Sequence, residues 1–359
     1  MDVNEINRFF KMSQEVYANL ADPISKAIFL ARMNYNISKS TNYILDMVSM
    51  NPRLKEKEYQ KLKSLIERLR RIDNQLDARL IIYGAGRYGE TLKSKLSEFE
   101  WYAFCDKDTN KHGTMYCNLP VISPEELVLN HKSDYIVISS PQIYEEVNTY
   151  LLMLGFSADQ IIYEHLPFED IDNQYFEASI VTPQPNEVFI DAGCYDCETS
   201  LLFREWCGGD YDKIYAFEPD TINFQNCQSI IKREQIQNME LLNAGVWSSD
   251  NRLQFDDRGD MASSIDSKGT NSIYVRSIDS VLQGARATFI KMDIEGAELE
   301  ALKGASKTIA KYRPKLAICV YHKPEDMLLI QLYLQSIVPD YQFYIRHYGD
   351  WYETILYAV

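Results

Sequence analysis

From Glu187 onward the chain repeats one arrangement, a short apolar run followed by a turn or an acid and then a helical stretch. The runs are EVFIDAG, KIYAFEPD, MELLNAGVW, ATFIKMDIEG and KLAICVYH. Strands alternating with helices in this way predict an α/β fold with a mainly parallel, doubly wound, Rossmann-like sheet. Such sheets take their ligands beyond the carboxyl ends of the strands. The polar residues at those ends are Asp191, Glu218, Asp293, Glu295 and His322.

Three parts are expected. Residues 1–76 read as a helical N-terminal segment. In it Phe9, Phe10, Val16, Tyr17 and Leu20 recur at helical steps, Asp22-Pro23 resembles a cap followed by proline, and Leu62, Leu65, Ile66, Leu69 and Ile72 form a second stripe. These helices suit packing or a homo-oligomer, although a charge-rich amphipathic helix is more often a solvated face.

Residues 77–166 read as a smaller Rossmann-like α/β unit. LIIYGAGRYGETLKSKL sets Gly84, Gly86 and Gly89 as GxGxxG between strand and helix, and WYAFCD ends in Asp106, an acid able to accept hydrogen bonds from a ribose. A tight strand-to-helix turn explains the same glycines without any nucleotide. The stretch from Pro167 to Pro185 interrupts the periodicity and reads as an entry segment, opening a third part over residues 167–359.

Composition removes several function classes. A net charge of −15 points away from nucleic acid. No uncharged apolar run approaches the roughly 20 residues that a bilayer span needs, so no membrane span and a cytoplasmic location are expected. The 7 cysteines are an odd number and read as reduced thiols. Cys194 and Cys197 form a CxxC, a metal or redox pair with Cys207 as a further donor, but a structural zinc needs a fourth ligand and no second CxxC or spaced histidine pair is near.

The strand-end residues suggest chemistry. Asp191 precedes Gly193, and Glu218 stands in Glu218-Pro219, a spacing that suits an acid binding ribose hydroxyls. A carboxylate at the first turn repels a pyrophosphate but tolerates a sulfonium ligand bearing an ammonium group. Asp293 and Glu295 lie two apart at a strand end and are expected to point the same way. They, or His322, provide a base for a hydroxyl acceptor; with Glu298 they also have the donor set for Mg²⁺. Glu298 by itself reads as an acid favoured by a helix N-terminus.

Residues 250–285 form a polar insertion, expected to be a substrate lid in which Arg258, Ser263 and Ser264 touch the acceptor, a plain surface loop being the competing reading. YQFYIRHY and YETILYA read as a terminal antiparallel hairpin with Arg346 and Glu353 as a cross-strand ion pair.

The blocks IDAGCYDCET, YAFEPD, LLNAGVW, VRSIDSVL, KMDIEGAELEALKGA, CVYHKPED and YIRHYGDWYETILYA, in that order, resemble the FkbM-type methyltransferases over roughly Glu187 to Val359. LADPISKAIFLARMNY and the GxGxxG unit are similar to an N-terminal half found in some members. The resemblance implies an S-adenosylmethionine-dependent O-methyltransferase acting on a hydroxyl of a sugar or glycan precursor. It further implies that Asp191, Gly193 and Tyr195 form the turn against the methionine part of the cofactor, with Thr199 at the start of the next helix. Glu218 would bind the ribose, and Asn243, Ala244 and Gly245 would lie beside the adenine. Asp293, Glu295 and Gly296 belong to the acidic block at the transfer site. Cys197 stands where the family's loop usually has a second glycine, and its side chain is expected to narrow the pocket. Two other readings stay open: an NAD(P)-binding oxidoreductase or nucleotide-sugar enzyme using Gly84, Gly86, Gly89 and Asp106, and a binding protein with a degenerate cofactor site.

Overall fold

Leu80–Tyr83 and Glu187–Ala192, each buried along its whole length, are inner strands of two separate sheets. The computed structural model describes residues 3–51, 53, 56–163, 173–256, 264–265 and 271–359. Two units are distinguished, Asn34–Phe168 and Met1–Met33 with Glu169–Val359.

The chain begins with α1 (Val3–Ala18), α2 (Pro23–Ser38), α3 (Thr41–Ser49) and α4 (Glu56–Asp73). Pro23 opens α2, and the Asp22 carboxylate accepts the Ser25 N–H at 2.7 Å, as a capping aspartate before proline should. The stripe Leu62, Leu65, Ile66, Leu69 and Ile72 is the buried face of α4. No helix among the described residues is long and apolar enough to cross a membrane.

In the unit Asn34–Phe168 the elements after α4 are β1 (Leu80–Tyr83), α5 (Arg87–Lys95), β2 (Trp101–Cys105), β3 (Met115–Tyr116) and β4 (Leu119–Ile122). They are followed by α6 (Pro124–Asn130), β5 (Tyr135–Ile138), α7 (Tyr144–Met153) and β6 (Ile161–Ile162). The sheet order is β3-β4-β2-β1-β5-β6, parallel apart from the β3–β4 pair.

The other unit holds the larger sheet. Its first elements are β7 (Glu187–Ala192), α8 (Glu198–Trp206), β8 (Tyr211–Phe217), α9 (Thr221–Arg233) and β9 (Met239–Leu242). A second, smaller sheet follows from β10 (Gly245–Val246), β11 (Asn251–Asp256), β12 (Ser264–Ile265) and β13 (Asn271–Arg276). Then come α10 (Ile278–Leu282), β14 (Phe289–Met292), α11 (Glu298–Lys303), α12 (Ser306–Tyr312) and β15 (Lys315–Cys319). The last elements are α13 (Asp326–Ile337), β16 (Phe343–His347) and β17 (Thr354–Ala358).

The large sheet runs β16-β17-β15-β14-β7-β8-β9, with only β17 reversed. Strand order turns back between β7 and β14, which opens the crevice in which such folds hold ligands. The core under that crevice is aromatic: Phe189, Phe203 and Phe289 are buried and packed together, the first two stacked at 4.3 Å.

Several expectations change here. The segment after Pro167 is no mere entry: Tyr175, Phe176 and Val181 belong to the core cluster around Phe189 and Phe289. An irregular backbone can bury alternate aromatics without giving any helical or strand period, so periodicity could not reveal it. The insertion at residues 250–285 is anchored by an antiparallel ladder in which β11 pairs with β13 from Asn251↔Val275 to Phe255↔Asn271. Arg258 and Ser263 lie outside the described residues, so their assignment to a lid does too, and Ser264 is a residue of the short strand β12. The terminal hairpin forms, but Arg346 pairs with Asp22 at 2.6 Å rather than with Glu353. The first helices belong with this unit as well: Gln331 of α13 donates to the Val16 carbonyl at 3.1 Å, and buried Arg32 donates to the Trp351 and Tyr352 carbonyls.

Candidate active site

The turn after β7 is built around Gly193. Its φ is 78°, and a Cβ there would lie 2.0 Å from the Asp293 carbonyl oxygen, so only glycine lets the turn pass the end of β14. Asp191 is fully buried and faces the sheet interior. It accepts the Ser200 hydroxyl at 2.6 Å and pairs with Lys291 Nζ at 3.1 Å, while Lys291 also donates to the Gly193 carbonyl at 2.6 Å. The Asp191 carboxylate therefore braces the turn from beneath and leaves the upper surface to backbone groups. Burial would strip the proton from Lys291, but the charges of Asp191 and Asp293 outweigh it and hold the ammonium above its usual range.

Tyr195 and Cys197 are both left-handed, at φ 48° and 62°. This is the conformation that glycine adopts freely, which accounts for the residue that the resemblance leads one to expect at Cys197. The Cys197 side chain is buried among Cys194, Ala216 and Cys227 and so does not narrow the cleft. Thr199 is half-buried in the first turn of α8; its neighbour Ser200 is the one that reaches Asp191.

Glu218, at the end of β8, is buried, and its carboxylate accepts the Tyr195 N–H at 3.0 Å and the Asp220 N–H at 2.9 Å. Burial pushes its carboxyl up to about 7, the two backbone bonds only partly offsetting the loss of water. Among the described residues no cation pairs with it. Asn243 donates to the Glu218 carbonyl at 3.0 Å, tying the end of β9 to that of β8, and Ala244 and Gly245 are buried beyond it. A cavity of about 700 Å³ opens there, between Asn243 and Ala244 on one side and Arg252 and Tyr274 on the other.

At the end of β14, Asp293 accepts the Tyr175 hydroxyl at 2.8 Å and the Tyr321 hydroxyl at 3.3 Å, with His322 Nε2 at 3.4 Å. β14 ends at Met292, so the strand period never reaches Glu295. A left-handed Glu295, φ 54°, followed by Gly296, φ 88°, brings the second carboxylate to 3.7 Å from His322 Nε2 instead. His322 Nδ1 is 3.0 Å from Glu298, whose carboxylate also accepts the Ile294 N–H at 2.9 Å. Glu298 thus orients the imidazole as well as sitting at a helix start. Burial alone would lower His322, but the bond to Glu298 and the charges of Glu298, Asp293 and Glu295 push it up to about 9. At neutral pH it is a proton donor. Asp293 is held below the usual carboxylate range: burial opposes this, and His322, Lys291 and the Tyr175 hydroxyl prevail.

Tyr175, Ser200, Lys291, Tyr321 and Glu298 as the partner of His322 join the site only through the fold. Lys291, a charge inside the apolar strand β14, and Glu298, just after it, are the signals that the stretch KMDIEGAELE carries; Tyr175 has none. The glycine turn of the six-stranded sheet is different. A Cβ on Gly89 would meet the Gly84 carbonyl oxygen at 2.1 Å, whereas one on Gly86 would meet nothing within 4 Å. Asp106 accepts the Ala85 N–H at 2.8 Å and pairs with Lys111 at 3.0 Å, and Lys111 donates to the Ala85 carbonyl at 2.9 Å. The acid that would receive a ribose is already closed onto its own loop.

Residues 191–349 match the family model described as the Methyltransferase FkbM domain. The C-terminal part of this chain is an FkbM methyltransferase domain. The FkbM domain makes the chain an S-adenosylmethionine-dependent methyltransferase. Residues 76–162 match a second model, described as C2185-like, N-terminal. The structure of methyltransferase FkbM from Methylobacillus flagellatus KT is similar at 23% identity and a TM-score of 0.52, over 85% of this chain and 98% of that one, which bears on the fold. A putative methyltransferase from Streptococcus mutans in complex with SAH is similar at 11% identity and a TM-score of 0.33, over 52% of this chain and 96% of that one. The search of curated proteins found no match. The cleft of the FkbM domain fits an S-adenosyl ligand: Glu218 is a desolvated acid with no cation among the described residues, and the Gly193 turn presents backbone groups beside it.

Proposed function

We propose that the FkbM domain methylates a hydroxyl group of a sugar or glycan precursor, with Asp293 taking the hydroxyl proton. The observation that carries this is the position of the Asp293 carboxylate, beyond the end of β14 and next to the Gly193 turn, ionised and held by Tyr175, Tyr321 and His322. Gly193, Tyr195 and Thr199 would border the methionine part, Glu218 would accept the ribose hydroxyls, and Asn243, Ala244 and Gly245 would flank the adenine. S-adenosylmethionine supplies an electrophilic methyl group on a sulfonium. The chain's share is to hold the acceptor oxygen in line, exclude water and remove a proton, and a fixed carboxylate suits that last task. His322, being protonated, is a cation 3.4 Å from Asp293 and 3.7 Å from Glu295 and keeps both carboxylates ionised rather than acting as the base itself.

The test is a mass-spectrometric screen of glycan precursors for the gain of one methyl group, with wild type and Asp293→Asn side by side. Loss of product on the order of 100-fold or more in the variant is expected; full activity in Asp293→Asn would sink the assignment of the base. A divalent cation such as Mg²⁺ is a second reading, favoured by the convergence of ligand atoms of Asp293, Glu295 and His322 within 4.8 Å of one another. Activity unchanged after chelator treatment and desalting would exclude it. Exposed Val3, Ile6 and Phe10 on α1 are the basis for also proposing a homo-oligomer through the N-terminal helices, which a monomer in sedimentation would refute.

A further inference from the structure

Three thiols take no part in the chemistry above. Cys194 and Cys197 come from the turn after β7, Cys227 from within α9, and their three sulfurs lie within 4.8 Å of one another. The Cys194 and Cys227 sulfurs are 3.8 Å apart, and none of the three residues exposes more than 2% of its surface. A metal–sulfur bond of about 2.3 Å puts the sulfurs around one ion on the order of 4 Å apart, so the spacing already suits a shared ion. Thiolates select soft cations over Mg²⁺ or Ca²⁺.

The CxxC pair alone lacked ligands. The fold adds Cys227 from 30 residues downstream of Cys197 in the chain, while Cys207 stays outside the group. Against the sulfurs pack Ala216, Ile230, Ile231, Met239 and Leu241, an apolar lining that offers no hydrogen bonds to a water serving as the fourth ligand of a tetrahedral ion. Among the described residues the grouping is therefore three sulfurs, with neither imidazole nor carboxylate in it, the donor set of a three-coordinate ion.

We propose that Cys194, Cys197 and Cys227 bind one soft d¹⁰ cation of the Cu(I) type in trigonal thiolate coordination, the three thiol protons being released to solvent. Tyr195 lies between two of the ligands and donates its N–H to Glu218, so an occupied site stiffens the turn beside the cleft. Ion uptake itself is independent of whether the methyl acceptor is a glycan.

The test titrates the full, reduced chain with Cu(I) under oxygen-free conditions against a competing chromophoric chelator, without any S-adenosyl ligand. One ion per chain is expected. Cys227→Ser should weaken uptake by at least the roughly 100-fold that loss of even an outer-shell partner can cost, and Cys207→Ser should leave it unchanged. X-ray absorption on the loaded wild type, which needs no variant to fold, should count three sulfurs and no lighter ligand. No stoichiometric uptake, equal affinity in Cys227→Ser, preference for Zn(II), or a nitrogen or oxygen ligand in the absorption spectrum would each overturn the proposal.

Discussion

The chain contains two glycine turns of the same plan, each following the first strand of a parallel sheet and each closed by an acid from the second strand. Asp106 accepts the Ala85 N–H beside the six-stranded sheet; Glu218 accepts the Tyr195 N–H in the FkbM domain. What differs is the counter-charge. Asp106 has Lys111 at 3.0 Å, and although burial opposes it, backbone bonds and that lysine keep its carboxyl below the usual range. Among the described residues Glu218 has no such cation, and burial pushes it up to about 7. One carboxylate is already satisfied, and the other still has reason to gain a partner. A fingerprint of glycines and an acid is thus a statement about turn geometry, and whether it is also a ligand site depends on what else reaches the acid.

The largest expected effect concerns the lysines. Lys291 is buried against Asp191, so Lys291→Met leaves an uncompensated charge and should cost about 3–5 kcal/mol in urea unfolding. Lys111→Met, at a half-buried pair that water still reaches, should cost only about 1 kcal/mol. Equal losses would erase the contrast between the two turns.

Next come the acids themselves. Glu218→Ala should weaken S-adenosylmethionine binding in calorimetry on the order of 100-fold, the worth of losing charged hydrogen bonds to a ribose. Asp106→Ala should leave that affinity alone. If Asp106→Ala were the variant that lost binding, the roles of the two sheets would have to be exchanged.

The pH dependence sharpens the same point. A carboxyl whose folded-state pKa is raised, here from 4.5 to about 7, contributes stability that is present below 4.5 and lost as pH rises through about 7. Glu218→Gln should therefore gain stability relative to wild type above pH 7 in thermal unfolding. On the proposed role of Glu218 as the ribose acceptor, cofactor affinity should fall in the wild type as pH drops below about 7. A flat profile for both would mean that Glu218 is not desolvated in the way its burial requires.

The smallest effect belongs to Gly86. Its Cβ would meet nothing within 4 Å, so Gly86→Ala should change stability by no more than about 0.5 kcal/mol. A larger loss would restore a special role to the middle glycine of the smaller turn.

The sequence by itself determined the doubly wound sheet, the Asp22-Pro23 cap, the buried stripe of α4 and the strand-end acids, because these rest on local periodicity and turn chemistry. Tertiary structure decided which acids have partners. Lys291 is separated by 100 positions from Asp191, Cys227 by 33 from Cys194 and Tyr175 by 118 from Asp293, and no local pattern carries such pairings. It also turned Glu295 toward Asp293 through a left-handed residue where strand alternation would have been the wrong reason. Periodicity says which face of an element is buried; the charge state of a carboxylate depends on everything that packs against it from elsewhere in the chain.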